Sequence, residues 1–137
     1  MRAADFVQSY FDAWNHSDAK GVAEHLAKDG TYHDVPTNQQ PSREDLVANL
    51  ADFFAYEQHS YQLIGEILVS DNSIAFQYRM YSLDKSHEDW FGAEFMMVNG
   101  DGAVKITDYY DTSSTTRPVI VNASEAVTPK YAKSGLD

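Results

Sequence analysis

Two acids stand where the surrounding sequence asks for apolar side chains. Residues 103–111 alternate like a strand, and Val104, Ile106, Asp108 and Tyr110 fall on one face. Residues 90–99 do the same, and Glu94 falls with Trp90, Gly92, Met96 and Val98. A carboxyl in an apolar setting has a raised pKa, because desolvation disfavours the charged form. Such a group works as a general base near neutral pH, or as a neutral hydrogen-bond donor. Arg79, in the row Ala75, Gln77, Arg79, Tyr81 and Leu83, would act oppositely and hold a neighbouring acid ionised. The same residues also admit a plain reading, with Asp108 and Arg79 as a structural ion pair and Glu94 facing solvent at a subunit rim. Asp34 follows a short strand at 31–33 and precedes Val35 and Pro36. Tyr10 lies on the apolar stripe of a helix, where it is either core or a pocket hydroxyl.

Other chemistries find no residues to carry them. The chain has 137 residues, 10 basic and 21 acidic, and no Cys. Without Cys there is no disulfide scaffold, no Cys-ligated metal or iron–sulfur site and no thiol nucleophile. The five His show no metal-ligand spacing, so no metal and no cofactor are expected. There is no phosphate-binding glycine loop and no nucleophile elbow. A net charge of −11 argues against nucleic acid and against an anionic membrane surface. No segment has the length and apolarity of a membrane span, and the N-terminus has no signal-peptide core, so a cytoplasmic protein is expected.

The elements that must position these groups follow from periodicity. Phe6, Val7, Tyr10, Phe11 and Trp14 recur at helical spacing. Asp18 can cap a second helix carrying Val22, Ala23 and Leu26, which Gly30 is expected to end. A short strand at 31–33 follows. Ser42, with Asp45 three residues on, opens a third helix whose stripe is Leu46, Val47, Leu50, Phe53 and Phe54. Beyond Tyr56 the period becomes two, and strands are expected at 61–70, 73–83, 90–99 and 103–111. Asn99-Gly100-Asp101-Gly102 is a hairpin signal. Helices followed by an antiparallel meander make an α+β fold, a cone-shaped curved sheet wrapped around three N-terminal helices. Its interior is apolar and can hold a ligand. Both faces of 90–99 are apolar, so the outward one, with Phe91, Phe95 and Met97, is expected to meet a second subunit. One domain at 1–111 and a polar extension at 112–137, with a short added strand at 119–121, complete the layout.

In order and spacing these segments resemble the nuclear transport factor 2-like superfamily, in its SnoaL-like and ketosteroid-isomerase-like branch. The resemblance rests on residues 6–15 with Asp18 and Gly21, on Tyr32-His33-Asp34-Val35-Pro36, and on residues 95–104 and 106–111, and it spans 3–111. It implies a cystatin-like α+β barrel. Set against ketosteroid isomerases, it implies Tyr10 as oxyanion donor, Asp34 as proton shuttle and Glu94 as the protonated acid beside the tyrosine, with Glu in place of the usual Asp. Set against limonene-epoxide-hydrolase-like members, it implies Tyr32 and Asp34 as water-binding groups, Arg79 as the orienting residue and Asp108 as base. Tyr81 then replaces the acid that would protonate the epoxide, which ranks hydrolysis lower. SnoaL-like polyketide cyclases would use an acid near Asp108 to start ring closure.

The expected function is therefore proton abstraction beside a carbonyl, by an isomerase- or cyclase-like homodimer that binds a small apolar or aromatic molecule. Trp14, Tyr32, Trp90, Met96 and Tyr110 are the expected substrate-binding residues. The competing expectation is a ligand-binding or sensory domain. Residues 129–136 resemble the lead-in to some AraC-type helix-turn-helix domains, which would make the chain the sensory module of a regulator; a plain polar tail is the other reading.

Overall fold

The computed structural model describes residues 2–56, 58–84 and 88–111. The extension at 112–137, with its expected strand and helix-turn-helix lead-in, lies outside the described residues. Helix α1 spans Ala3–Asn15 and buries Val7, Tyr10, Phe11, Ala13 and Trp14, the stripe its periodicity marks. Ser17 turns the chain at a φ of 53°. Asp18 then caps α2 (Ala19–Ala23) by accepting the Gly21 N–H at 2.9 Å.

The second helix is shorter than its sequence suggests. It stops at Ala23, and strand β1 runs over Leu26–Asp34. Leu26 is fully buried and lies opposite Ala103 in a parallel pairing. Burying a Leu contributes about 1.5–3 kcal/mol, more than the small helical preference of one residue. Gly30 is therefore a strand residue and ends no helix. A Cβ there would come within 2.6 Å of the Ala103 carbonyl oxygen, so the close approach of two backbones selects glycine.

Helix α3 (Arg43–Tyr56) is opened by Ser42, whose hydroxyl accepts the Asp45 N–H at 3.3 Å. Four strands follow: β2 (His59–Ser70), β3 (Ser73–Ser82), β4 (Trp90–Asn99) and β5 (Gly102–Tyr110). The sheet order is β1-β5-β4-β3-β2. The meander β2 to β5 is antiparallel throughout, and β1 adds to its far edge in parallel with β5. The curved sheet stays open. Irregularities between Ile64 and Leu68, with Gly65 at a φ of 71°, and between Met97 and Val98, interrupt the pairing as bulges do. The second one breaks the inner row of β5: Ala103 is buried, while Val104, expected inside, is 38% exposed.

The concave face packs on α1 and α3 through a core that includes Val7, Leu46, Ile74, Phe76, Met96 and Ile106. The convex face is unusually apolar. Phe91, Phe95 and Met97 on β4 are each more than half exposed, and Tyr109 on β5 meets Phe95 edge-on at 5.9 Å. No helix among the described residues is long and apolar enough to cross a membrane.

Candidate active site

The concave face leaves a cavity of about 220 Å³ between the sheet, α1 and α3. Its floor is a row of acids crossing three strands. Asp34 on β1 lies opposite Asp108 on β5, and Asp108 lies opposite Glu94 on β4. Strand alternation puts all three carboxyls on one face, and all three line the cavity. Each is held by tyrosine. The Tyr32 hydroxyl donates to one Asp108 oxygen at 2.5 Å, and the Tyr78 hydroxyl donates to the other at 2.8 Å. Tyr10 donates to Glu94 at 2.7 Å. Tyr110 reaches both oxygens of Asp34 at 2.9 Å.

Burial sets the proton affinities. Asp108 is 6% exposed, and desolvation pushes its carboxyl up to about 7. The Tyr32 and Tyr78 hydroxyls work against that rise by stabilising the carboxylate, while the nearby Asp34 charge adds to it. Glu94 is pushed well above the usual carboxylate range, first by burial and then by the charge of Asp108; its bond from Tyr10 opposes the rise. Two adjacent carboxyls cannot both ionise cheaply, so the pair titrates as a unit. Burial favours the protonated form of Glu94, and the pair gives up a proton near neutrality at Asp108. Tyr10, Tyr32 and Tyr78 are raised by burial and then by these acids, so their hydroxyls remain protonated donors.

The cavity gathers Asp34, Asp108, Tyr10, Glu94, Tyr32, Trp14, Trp90 and Tyr110 from the sequence reading, so the acids and tyrosines of the two alternative sets occupy one space. Two residues do not join them. Arg79 is on the convex side of β3, where its guanidinium binds Asp89 and covers the Tyr81 ring at 4.2 Å. The period of two separates it from inward Tyr78 and Met80, so it neither pairs with Asp108 nor orients a substrate. Tyr81, which donates to Gln62 at 2.6 Å, is on that side too. Met96 is on the concave face but is 1% exposed and packs in the core below the cavity. Glu94 is likewise no solvent-facing rim residue, being 4% exposed.

Sequence reasoning missed Tyr78. Its signal was there: Ile74, Phe76, Tyr78 and Met80 form the buried row of β3, with one hydroxyl among apolar groups. Gly92 makes its reach possible. Gly92 lies between Tyr78 and Tyr110 in register, and a Cβ on it would stand 2.5 Å from the Tyr78 phenol. Among the described residues no group of three or more His, Cys, Asp or Glu is placed to hold a metal ion.

A family model, the SnoaL-like domain, matches residues 7–109. The chain therefore belongs to the SnoaL-like domain family. Solved structures agree on the fold. A hypothetical protein with a ketosteroid isomerase-like fold from Catenulispora acidiphila, in complex with trimethylamine, is 18% identical; the match covers 83% of this chain and 91% of that one, with a TM-score of 0.73. A protein from Kribbella flavida, provisionally assigned as a ketosteroid isomerase, is 20% identical over 86% of each chain, with a TM-score of 0.67. A cystatin-fold protein of uncharacterised role from Novosphingobium aromaticivorans is 14% identical over 80% of this chain and 98% of that one, with a TM-score of 0.67. No curated protein matches the chain.

Proposed function

We propose that this SnoaL-like protein is an acid/base enzyme, isomerase- or cyclase-like, in which Asp108 takes a proton from carbon beside a carbonyl of a small ligand. The observation that carries this reading is a carboxyl near a neutral pKa, in an aromatic cavity, beside a neutral acid. As the proton passes to Asp108, the electron pair moves to the carbonyl oxygen. Glu94 accepts from Tyr10 on one oxygen and keeps an O–H to donate to that oxyanion. Returning the proton to another carbon completes an isomerisation. Attack of the enolate carbon on a second carbonyl instead closes a ring, as in a polyketide cyclase. Asp34, less buried than Asp108 and held by Tyr110, is suited to relay the proton.

The test is solvent deuterium exchange into small ketones, enones and polyketide mimics chosen by thermal shift. Wild type should exchange faster with rising pH through the region where Asp108 ionises, and Asp108→Asn should lose about 100-fold or more. Equal rates for the two proteins overturn the assignment. A ligand that binds and is recovered without exchange moves the protein to the non-catalytic, sensory reading. Arg79 and Tyr81 on the convex side favour isomerase or cyclase chemistry over epoxide hydrolysis.

We further infer a homodimer through the convex face, acting in the cytoplasm. Phe91, Phe95, Met97 and Tyr109 form an exposed apolar surface of the kind that marks an interface, and a second copy of the same face is its self-complementary partner.

A further inference from the structure

The cavity's charge is unbalanced. Asp34 and Asp108 line it beside the protonated Glu94, and among the described residues no Lys, Arg or His does. Arg79, on the neighbouring strand, is turned out to Asp89, and His59 stands behind Phe53 and Trp90 as a ring-stacking partner. A carboxylate taken out of water needs either donors or a counter-cation. The tyrosine donors are already committed: Tyr32 and Tyr78 to Asp108, Tyr10 to Glu94 and Tyr110 to Asp34. Beyond the amides of Gln39 and Asn49, the Tyr61 hydroxyl and the proton of Glu94, an occupant meets carboxyl oxygens and aromatic rings.

Those rings form the walls. Trp14 packs on Tyr61 with centroids 4.8 Å apart, and Trp90 stacks on Tyr110 at 5.7 Å, nearly parallel. Both pairs line the cavity. The face of an indole or phenol ring carries negative potential and attracts an alkylated cation that has shed its water. At about 220 Å³ the space is below the roughly 300–1,000 Å³ of drug-sized sites, so the occupant is small.

We propose that the occupant is a small alkylammonium compound, its alkyl groups packed on the rings of Trp14, Tyr61, Trp90 and Tyr110 and its charge facing Asp34 and Asp108. This rests on the reading of the cavity as the ligand site and adds the charge of the ligand. A substrate of this class joins an ammonium group to the carbonyl that the acid/base chemistry requires.

The experiment titrates the full chain with tetramethylammonium and choline, following tryptophan fluorescence and calorimetry. The comparator is the neutral carbon analogue of choline, with a tert-butyl group in place of the trimethylammonium. Choline should bind about tenfold or more tighter than that analogue, because shape is matched and only charge differs. Asp34→Asn, at a partly buried position, removes the charge and keeps the side chain's shape; it should weaken choline about threefold or more and leave the analogue unaffected. Equal binding of choline and analogue overturns the proposal. So does no binding of either cation at tens of millimolar, or an Asp34→Asn variant that folds and binds choline as wild type does. Deuterium exchange into a neutral ketone separates the two readings. If exchange persists and the cations fail, only the ammonium assignment falls; if choline binds and exchange depends on no acid, only the base assignment falls.

Discussion

At the scale of the residue, Asp108 sets stability against chemistry. Its folded pKa of about 7 is above that of an unfolded aspartate, because burial outweighs the help of two tyrosine hydroxyls. The linkage has a definite sign. Below the unfolded value both states bind the proton and nothing is lost. As pH rises toward the folded value, the unfolded chain releases its proton first, so stability falls across that window. Glu94, raised in the same direction, adds to the trend. Replacing Asp108 by Asn removes the buried charge, so the variant should melt several degrees higher than wild type at about pH 8, by a few kcal/mol of relieved desolvation. The two should converge near about pH 4. Thermal melts across that range check this; a variant less stable than wild type at the alkaline end contradicts a buried, raised acid.

At the scale of the element, the site depends on where one strand has no side chain. Gly92 lets the Tyr78 ring cross β4 toward Asp108 on β5. In Gly92→Ala the new methyl would overlap that ring and crowd the Tyr109 carbonyl oxygen, 2.7 Å away. Overpacking of this kind costs about 1–3 kcal/mol, so the melting temperature should drop by several degrees. Asp108 would also lose a donor that favours its charged form, so the pH–rate profile should shift to higher pH. The paired measurement is informative, because a merely structural glycine would lower stability without moving the profile. The same dependence on neighbours shortened α2. Residues 24–30 carry no strong strand period, and it is pairing with β5 that draws Leu26 and Gly30 into β1.

At the scale of the whole molecule, the convex face decides whether the protein stays single. Phe95 is 53% exposed near the middle of β4, with Phe91 and Met97 beside it on the same face. Wild type should sediment as a dimer at micromolar concentration. Phe95→Asp should give a monomer, since two copies of a new charge would meet across a symmetric interface. The cavity is on the opposite face of the sheet, so the monomer should keep its ligand binding. A monomeric wild type removes the dimer.

The sequence alone determined most of the elements, the acids Glu94 and Asp108 in apolar rows, Asp34 beside its short strand, and Tyr10 and Tyr110 on apolar faces; the resemblance added Tyr32. Those are local facts: a period of 3.6 or 2.0 says which residues share a face, and an acid in an apolar row stands out whatever the fold. Family resemblance carried the fold further than periodicity could. Only the tertiary structure decided that the acids Asp34, Glu94 and Asp108 share one cavity, that Tyr78 grips Asp108, and that Arg79 turns away to Asp89. Periodicity names two faces of a strand without saying which is concave. That choice is made by the packing of α1 and α3 on one side, and it put Tyr78 in and Arg79 out.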